Sequence, residues 1–152
     1  MSEKTFNVLI LCTGNSARSI MAECLINDLG GGEWKAYSAG SYPTGEVNPL
    51  SIEVLKEKGH SVEGVRSKSW DEFAGSDAPQ MDLVITVCDN AAGEVCPIWP
   101  GRPAKVHAGF PDPAAATGTH EERLAKFRAV YGMIETKMRR LLELGLERAG
   151  EI

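Results

Sequence analysis

The sequence predicts one α/β domain over residues 1–152, built on a doubly wound, four-stranded parallel sheet with helices on both faces. Three observations lead to this fold. Strand-like and helix-like segments alternate along the chain, as in βαβ units. Two strand-like segments, 6–12 and 81–88, are almost continuously apolar, as expected of strands buried on both faces. The chain has 152 residues, the usual size of one domain, with no internal repeat or low-complexity linker.

The elements follow in chain order. Phe6–Cys12 has the composition of a central strand and runs into a loop of Gly, Asn and Ser. Ser19–Leu29 then carries apolar residues at helical spacing and ends at three consecutive glycines. Pro49 is typical of a first helical position, and Gly59 of a helix end. The remaining predicted elements are strands at Trp34–Ala39, Met81–Cys88 and Ala104–Phe110, and helices at Pro49–Lys58 and Glu121–Arg148.

The charge and hydropathy of the chain argue against several classes of protein. The formal charge is −5, so the chain as a whole does not attract nucleic acid or anionic lipid, and an anionic ligand would need a strong local trap. No segment approaches the roughly 20 apolar residues of a membrane span. The apolar run that follows the polar N-terminus is too short for the core of a signal peptide. We therefore expect a cytoplasmic protein with no nucleic-acid or membrane partner.

The four cysteines are expected to be thiols, because disulfides are rare in the cytosol. No C-x-x-C pair or Cys/His ligand cluster occurs, so no metal site is predicted. Cys24 falls on the apolar side of its helix and is expected in the core. Cys12 and Cys88 each end an apolar strand, and Asp112 follows another strand. Because ligands bind at the carboxyl ends of parallel strands, these three residues are expected to face one crevice, while Cys96 lies further along the loop after Cys88.

The segment Cys12–Ser19 has the chemistry of an oxyanion site with a nucleophile at its base. A tight loop that turns from a strand directly into a helix points successive N–H groups inward, and the helix N-terminus adds about half a positive charge. Arg18 offers a planar fork for bidentate contact with an oxyanion, and this positive field should favour the thiolate of Cys12. Gly14 and Asn15 are expected to supply unusual backbone angles, and Ser19 to donate to the thiolate. The predicted oxyanion-binding residues are Thr13, Gly14, Asn15, Ser16, Ala17, Arg18 and Ser19.

This loop is not that of a P-loop NTPase, because the chain lacks G-x-x-x-x-G-K-[ST]. Val8–Ser19, VLILCTGNSARS, resembles instead the active-site segment of the low-molecular-weight protein tyrosine phosphatase superfamily, and more narrowly its thioredoxin-coupled arsenate reductase branch. The resemblance covers most of the chain and includes Val84–Cys88 and the pair that begins at Asp112. It implies that Cys12 is the nucleophile, that Arg18 and the loop amides bind the oxyanion, and that Asp112 protonates the leaving oxygen.

Two features favour the reductase branch over the phosphatases. The phosphatases usually carry aromatic residues after the Asp-Pro pair, whereas Ala114–Gly118 contains no ring and suits a small bare oxyanion. In the reductases, a cysteine at the end of the strand attacks the thiol–arsenic adduct and a second cysteine resolves the disulfide. The resemblance gives these roles to Cys88 and Cys96. It implies arsenate as the substrate, no bound cofactor, and electrons from a thioredoxin-like reductant or from a small thiol such as glutathione.

Alternatives remain open at this level. Seven residues separate Cys88 from Cys96, one more than in the thioredoxin-coupled members. Either the loop absorbs the extra residue or Cys96 is idle and glutathione completes the cycle. A tyrosine phosphatase that uses only Cys12, Arg18 and Asp112 is a second reading of the chain, and an anion-binding or phosphocarrier module is a third.

Two further sets of polar residues have weaker signals. Asn15, Glu23 and Ser38 resemble positions that hold a potassium ion in some reductases, although Asn15 is expected chiefly to brace the loop. The histidines are scattered without ligand-like spacing, so a structural or surface role is expected for His60, His107 and His120.

Overall fold

A computed structural model describes residues 5–73, 75, 78–87 and 104–152. Its sheet has four parallel strands in the order β2-β1-β3-β4. The strands are β1 (Phe6–Leu11), β2 (Trp34–Ala39), β3 (Leu83–Thr86) and β4 (Ala104–His107). The predicted α/β fold with a doubly wound, four-stranded parallel sheet is confirmed. Cys88 and Cys96 lie outside the described residues.

In the part of the chain that the structure describes, three α-helices accompany this sheet: α1 (Arg18–Leu29), α2 (Pro49–Glu57) and α3 (His120–Leu144). Short 3-10 helices follow at Trp70–Phe73, Pro113–Ala115 and Leu146–Glu151. Asn48 caps α2 by accepting a hydrogen bond from the backbone of Leu50, and Thr119 and Glu122 form a reciprocal capping box at the start of α3. Within the described residues, no helix combines the length and the hydropathy needed to cross a membrane.

Two predicted boundaries are wrong by three residues or more. The last helix was expected to run to Arg148 with a tail that frays after Gly145, but α3 ends at Leu144 because Gly145 adopts a φ of 82°, a left-handed conformation that stops a helix. The last strand was expected to reach Phe110, but β4 ends at His107. Beyond it, the N–H groups of Ala108 and Phe110 still donate to the carbonyl oxygens of Thr86 and Val87. Pro111 has no N–H to donate, and the chain leaves the sheet there.

The position of β1 determines where a ligand can bind. Its residues Val8–Leu11 are completely buried, with β2 on one side and β3 on the other. The chain leaves β1 to form β2 at one edge and returns to form β3 on the opposite side. The carboxyl end of β1 is therefore a topological switch point, where open α/β sheets leave a crevice for ligands.

A chain of polar contacts, partly exposed at Asp28, joins the three helices. His60, just beyond α2, places Nδ1 against the carboxylate of Asp28 in α1 and Nε2 2.6 Å from the hydroxyl of Tyr131 in α3. The His60 side chain is only 7% exposed. His120 pairs with Glu53, and His107 with Thr86, so all three histidines make contacts within the fold.

Candidate active site

The loop between β1 and α1 encloses a small cavity. Residues 12–18 form most of its lining, and Thr44, Asp112 and Ala114 complete it. Its volume is about 300 Å³, at the lower end of the range for small-molecule sites. The structure thus brings Cys12, Arg18 and Asp112 to one cavity, as the positions of the strand ends predicted. The side chains that rim it opposite the loop, Thr44 and Ala114, are small and carry no ring.

The outer side of the loop is fixed by its carbonyl groups. The carbonyl oxygen of Gly14 accepts hydrogen bonds from the N–H of Thr44 at 3.1 Å and from the hydroxyl of Ser67 at 2.9 Å. The neighbouring carbonyls of Thr13 and Ser16 accept from N–H groups of the same following segment, at 3.0 and 2.9 Å. These bonds attach three carbonyl groups of the loop to residues 42–48 and 67.

Asn15 braces the loop from inside, as predicted. It is fully buried and has a φ of 47°, a left-handed conformation that Asn tolerates better than most residues. Its side-chain amide donates to Ser19 Oγ at 2.7 Å, and its Oδ1 accepts from the backbone N–H of Lys68 at 2.9 Å. Gly14 was expected to share such an unusual angle, but its φ is not positive. Its small size matters instead, since a Cβ there would lie 3.3 Å from Thr44 Cγ2.

Gly40, directly after β2, lies against the backbone of the loop. The sequence pattern did not predict a role for this residue. A Cβ at this position would lie 2.3 Å from the carbonyl oxygen of Thr13 and 2.7 Å from that of Cys12. Only glycine permits the strand end and the loop to approach this closely. The one sequence signal was a glycine directly after a predicted strand, which many turns share.

Arg18 is held between the cavity and the segment that carries Asp112. Its Nη1 donates to the carbonyl oxygen of Phe110 at 2.9 Å, and its Nη2 lies 3.9 Å from Asp112 Oδ2. The side chain of Arg18 is 15% exposed and that of Asp112 is 49% exposed. Asp112 Oδ1 accepts from the N–H of Ala114 at 3.0 Å, which leaves Oδ2 turned toward the guanidinium.

The two described cysteines differ in their surroundings. Cys12 lies at the base of the cavity with 4% of its surface exposed. Cys24 is packed in the core, where burial, reinforced by Glu23 and Asp28, raises its pKa to about 12. Cys24 therefore stays a neutral thiol at physiological pH, in agreement with the core role expected for it. Among the described residues, no cluster of three or more His, Cys, Asp or Glu side chains is placed to hold a metal ion.

Comparison with known proteins places this loop in a family. Residues 7–150 match the model of the low molecular weight phosphotyrosine protein phosphatases. The chain belongs to this family. It is 42% identical over 138 residues to an arsenate reductase of Halalkalibacterium halodurans, which covers 91% of this chain and 96% of that protein. It is 40% identical to an arsenate reductase of Bacillus subtilis, with the same coverage.

A solved structure within this phosphatase family gives the same picture. An arsenate reductase in the phosphate binding state superposes with a TM-score of 0.75 and 26% identity, over 92% of this chain and 98% of that one. The resemblance to the arsenate reductase branch that the loop sequence suggested is confirmed by these relatives. Within the low-molecular-weight phosphatase family, the chain groups with the arsenate reductases.

Proposed function

We propose that this protein is a cytoplasmic arsenate reductase that converts arsenate to arsenite through a covalent adduct on Cys12. The observation that carries the proposal is that Cys12, Arg18 and Asp112 line one cavity of about 300 Å³, where Thr44 and Ala114, the other described lining residues outside the loop, are small and carry no ring. Relatives of more than 40% identity that bear the name arsenate reductase support the choice of substrate.

Binding of arsenate follows from the loop geometry. The carbonyls of Thr13, Gly14 and Ser16 are engaged on the outer side of the loop, so its N–H groups are the backbone donors that we assign to the oxyanion. These donors lie at the N-terminus of α1, where the helix dipole favours negative charge. Arg18 adds a guanidinium that can bind two oxygens at once. Ser19 accepts from Asn15, and its own proton is then free to stabilise the Cys12 thiolate.

The first chemical step forms the adduct. The Cys12 thiolate attacks arsenic, a sulfur–arsenic bond forms, and one arsenic–oxygen bond breaks. Asp112, in its protonated form, gives its proton to the departing hydroxyl group, which leaves as water. Asp112 is positioned for this role, because the N–H of Ala114 fixes one carboxyl oxygen and the other lies on the side of Arg18, which binds the oxyanion in this proposal.

Reduction needs a second sulfur. In the proposed sequence the Cys88 thiolate attacks Cys12 Sγ, a disulfide forms, and the sulfur–arsenic bond breaks with its electron pair passing to arsenic, which leaves as arsenite. Cys96 then attacks Cys88, and this frees the Cys12 thiolate and transfers the disulfide to the Cys88–Cys96 pair. A thioredoxin-like dithiol returns two electrons. Cys88 and Cys96 lie outside the described residues, so their roles rest on the sequence resemblance alone.

The proposed location follows from the electron source. The reaction consumes two thiol electrons for each arsenite, and the cytosol keeps both thioredoxin and glutathione reduced. We assign no bound organic cofactor, because sulfur chemistry balances the two-electron reduction.

The test is an arsenate reduction assay with two thiol systems, thioredoxin with its reductase and glutathione with glutaredoxin, beside hydrolysis of an aryl phosphate. Cys88→Ser should abolish arsenate reduction. It should leave any slow ester hydrolysis, which needs only Cys12, Arg18 and Asp112. Cys96→Ser should complete one turnover and then accumulate a Cys12–Cys88 disulfide, visible by mass spectrometry after a single arsenate pulse. Cys24→Ala is the matched control and should retain activity.

Three results would contradict the proposal in different ways. Full arsenate reduction by Cys88→Ser would move the second sulfur to an external thiol such as glutathione. Absence of arsenate reduction under both thiol systems, with brisk hydrolysis of the aryl phosphate, would establish a phosphatase. Retention of a stable phosphoryl group on Cys12 without turnover would point to a phosphocarrier.

A further inference from the structure

A buried lysine lies directly behind the loop that carries Cys12. Lys68 is only 9% exposed, and its Nζ donates to the carbonyl oxygen of Arg66 at 3.1 Å. The same ammonium lies 3.8 Å from Glu23 Oε1, which also accepts a hydrogen bond from Ser38 Oγ at 2.6 Å. Burial lowers the pKa of Lys68, while Glu23 acts in the opposite direction and favours its charged form.

The Lys68 backbone is part of the support of the loop. Its N–H donates to Asn15 Oδ1, and its carbonyl oxygen accepts from the N–H of Gly40 at 2.9 Å. Asn15 holds the left-handed turn of the loop, and Gly40 contacts the carbonyls of residues 12 and 13. A displacement of Lys68 would therefore be transmitted to the loop at two points.

The potassium site that the sequence resemblance suggested does not fit this arrangement. The Asn15 side chain is oriented by contacts within the protein, since its amide donates to Ser19 and one lone pair of Oδ1 accepts from Lys68. A potassium ion beside Glu23 and Ser38 would have to approach the Lys68 ammonium, which stands next to the same carboxylate oxygen. Two like charges in a largely buried site repel one another strongly.

We propose that the Lys68 ammonium is the built-in counter-charge of Glu23 and a positioning residue for the oxyanion loop, so that this protein needs no potassium ion. Without the Lys68 ammonium, Glu23 would be left as a largely buried carboxylate whose hydrogen bond, among the described residues, comes from a hydroxyl, with Arg66 as a more distant positive charge. The inference rests on the proposed function in one respect, which is that residues 12–18 bind the oxyanion.

The test compares potassium chloride with choline chloride at equal ionic strength, using titration calorimetry with inorganic phosphate and thermal unfolding as readouts besides arsenate turnover. The wild type should show the same phosphate Kd and the same Tm in both salts. Lys68→Ala opens space beside Glu23 and should weaken phosphate binding about tenfold in choline chloride, because the loop is displaced from its working geometry. Potassium should then restore most of the binding and raise the Tm by several degrees.

Three further variants separate a positioning role from general destabilisation. In Lys68→Ala/Glu23→Gln the carboxylate is gone, so the response to potassium should disappear. Lys35 is an exposed lysine that lines the same cavity of about 330 Å³ as Glu23 and Lys68. Lys35→Ala should behave as the wild type in both salts. If Lys68→Ala does not fold, Lys68→Met keeps the length of the side chain without its charge. It should bind phosphate weakly in choline chloride, since it supplies no counter-charge for Glu23.

A wild type whose phosphate binding or Tm depends on potassium would overturn the proposal. So would a Lys68→Ala or Lys68→Met variant that binds phosphate as the wild type does in choline chloride. These outcomes are separable from failure of the proposed function. A protein that binds phosphate in the loop but reduces no arsenate would refute the reductase mechanism and leave the role of Lys68 intact.

Discussion

Adding one methyl group at Gly40 should damage the oxyanion loop from outside the cavity. In Gly40→Ala the new Cβ would stand 2.3 Å from the carbonyl oxygen of Thr13, whereas ordinary contacts begin at 3.4 Å. Relief of this overlap requires the loop and the end of β2 to separate by roughly 1 Å. Neither side yields easily, because the N–H and carbonyl of Gly40 are both bonded, to Lys68 and Trp70, at 2.9 Å.

The expected magnitudes follow from that displacement. Forcing extra volume into a packed site typically costs about 1–3 kcal/mol, so the free energy of unfolding in urea should fall by that amount. A misplacement of about 1 Å in a catalytic constellation can reduce the rate about 100-fold, and we expect kcat/KM for arsenate to fall to that extent. Phosphate binding by calorimetry should weaken in parallel, because the same loop holds both oxyanions.

The matched control is Gly132→Ala in α3. No atom outside its own helix neighbourhood lies within 4 Å of a Cβ built at this position. Alanine is the better helix former, so this variant should gain up to about 1 kcal/mol of stability with unchanged kinetics. If Gly40→Ala kept kcat/KM within about threefold of the wild type and lost no stability, the loop would not depend on its contact with β2.

Three further predictions concern named side chains. Iodoacetamide should label Cys12 well before Cys24 between pH 6 and pH 9, because burial raises the pKa of Cys24 to about 12, and added phosphate should slow the labelling of Cys12. Arg18→Lys keeps the positive charge but loses the planar fork, so phosphate binding measured by calorimetry should weaken at least about tenfold. Tyr131→Phe removes the hydroxyl that partners His60 Nε2, and urea unfolding should show a loss of about 1–2 kcal/mol.

Each of these has a control and a contradicting result. Cys24→Ala should leave the labelling profile unchanged, and labelling of Cys24 ahead of Cys12 would place the reactive thiol elsewhere. Arg139→Lys, an exposed arginine on α3, should bind phosphate normally, and equal affinity in Arg18→Lys would remove the bidentate contact from the mechanism. Tyr42→Phe changes a hydroxyl on a residue that is 76% exposed and should alter stability by less than about 0.5 kcal/mol.

The parts of this fold that the sequence predicted are those with local causes. Val8–Leu11 is an apolar run that is fully buried between two other strands, and a run of that kind needs no tertiary information to recognise. Cys12 and Arg18 are separated by one loop, so their meeting follows from the strand–loop–helix order alone. Asp112 is distant in sequence, yet its convergence on the same cavity was predictable, because parallel strands bring their carboxyl ends to one edge of the sheet.

The supports of the loop could not be predicted, since they are contacts between residues far apart in sequence. Lys68 bonds to Asn15 across 53 positions, and nothing in the composition of residues 61–69 marks one lysine there as buried. Gly40 is one glycine among 16, and only the approach of two carbonyl oxygens distinguishes it from the glycines that end helices and turns. The end of α3 at Leu144 depended on the backbone angle of Gly145, which glycine permits without requiring.

Charge distribution explains how a chain of formal charge −5 can hold an oxyanion. Among the described residues that line the cavity, Arg18 is the one with a cationic side chain, so the attraction is local and does not come from the net charge of the chain. It comes from Arg18, the loop dipoles and the helix N-terminus, which act at short range and are less screened in a partly enclosed site. Lys68 lies just behind the loop, but its ammonium is turned to Glu23 and to a backbone carbonyl. The positive charge nearest the back of the loop thus serves to fix its shape, and Arg18 alone makes the ionic contact with the substrate in the proposed mechanism.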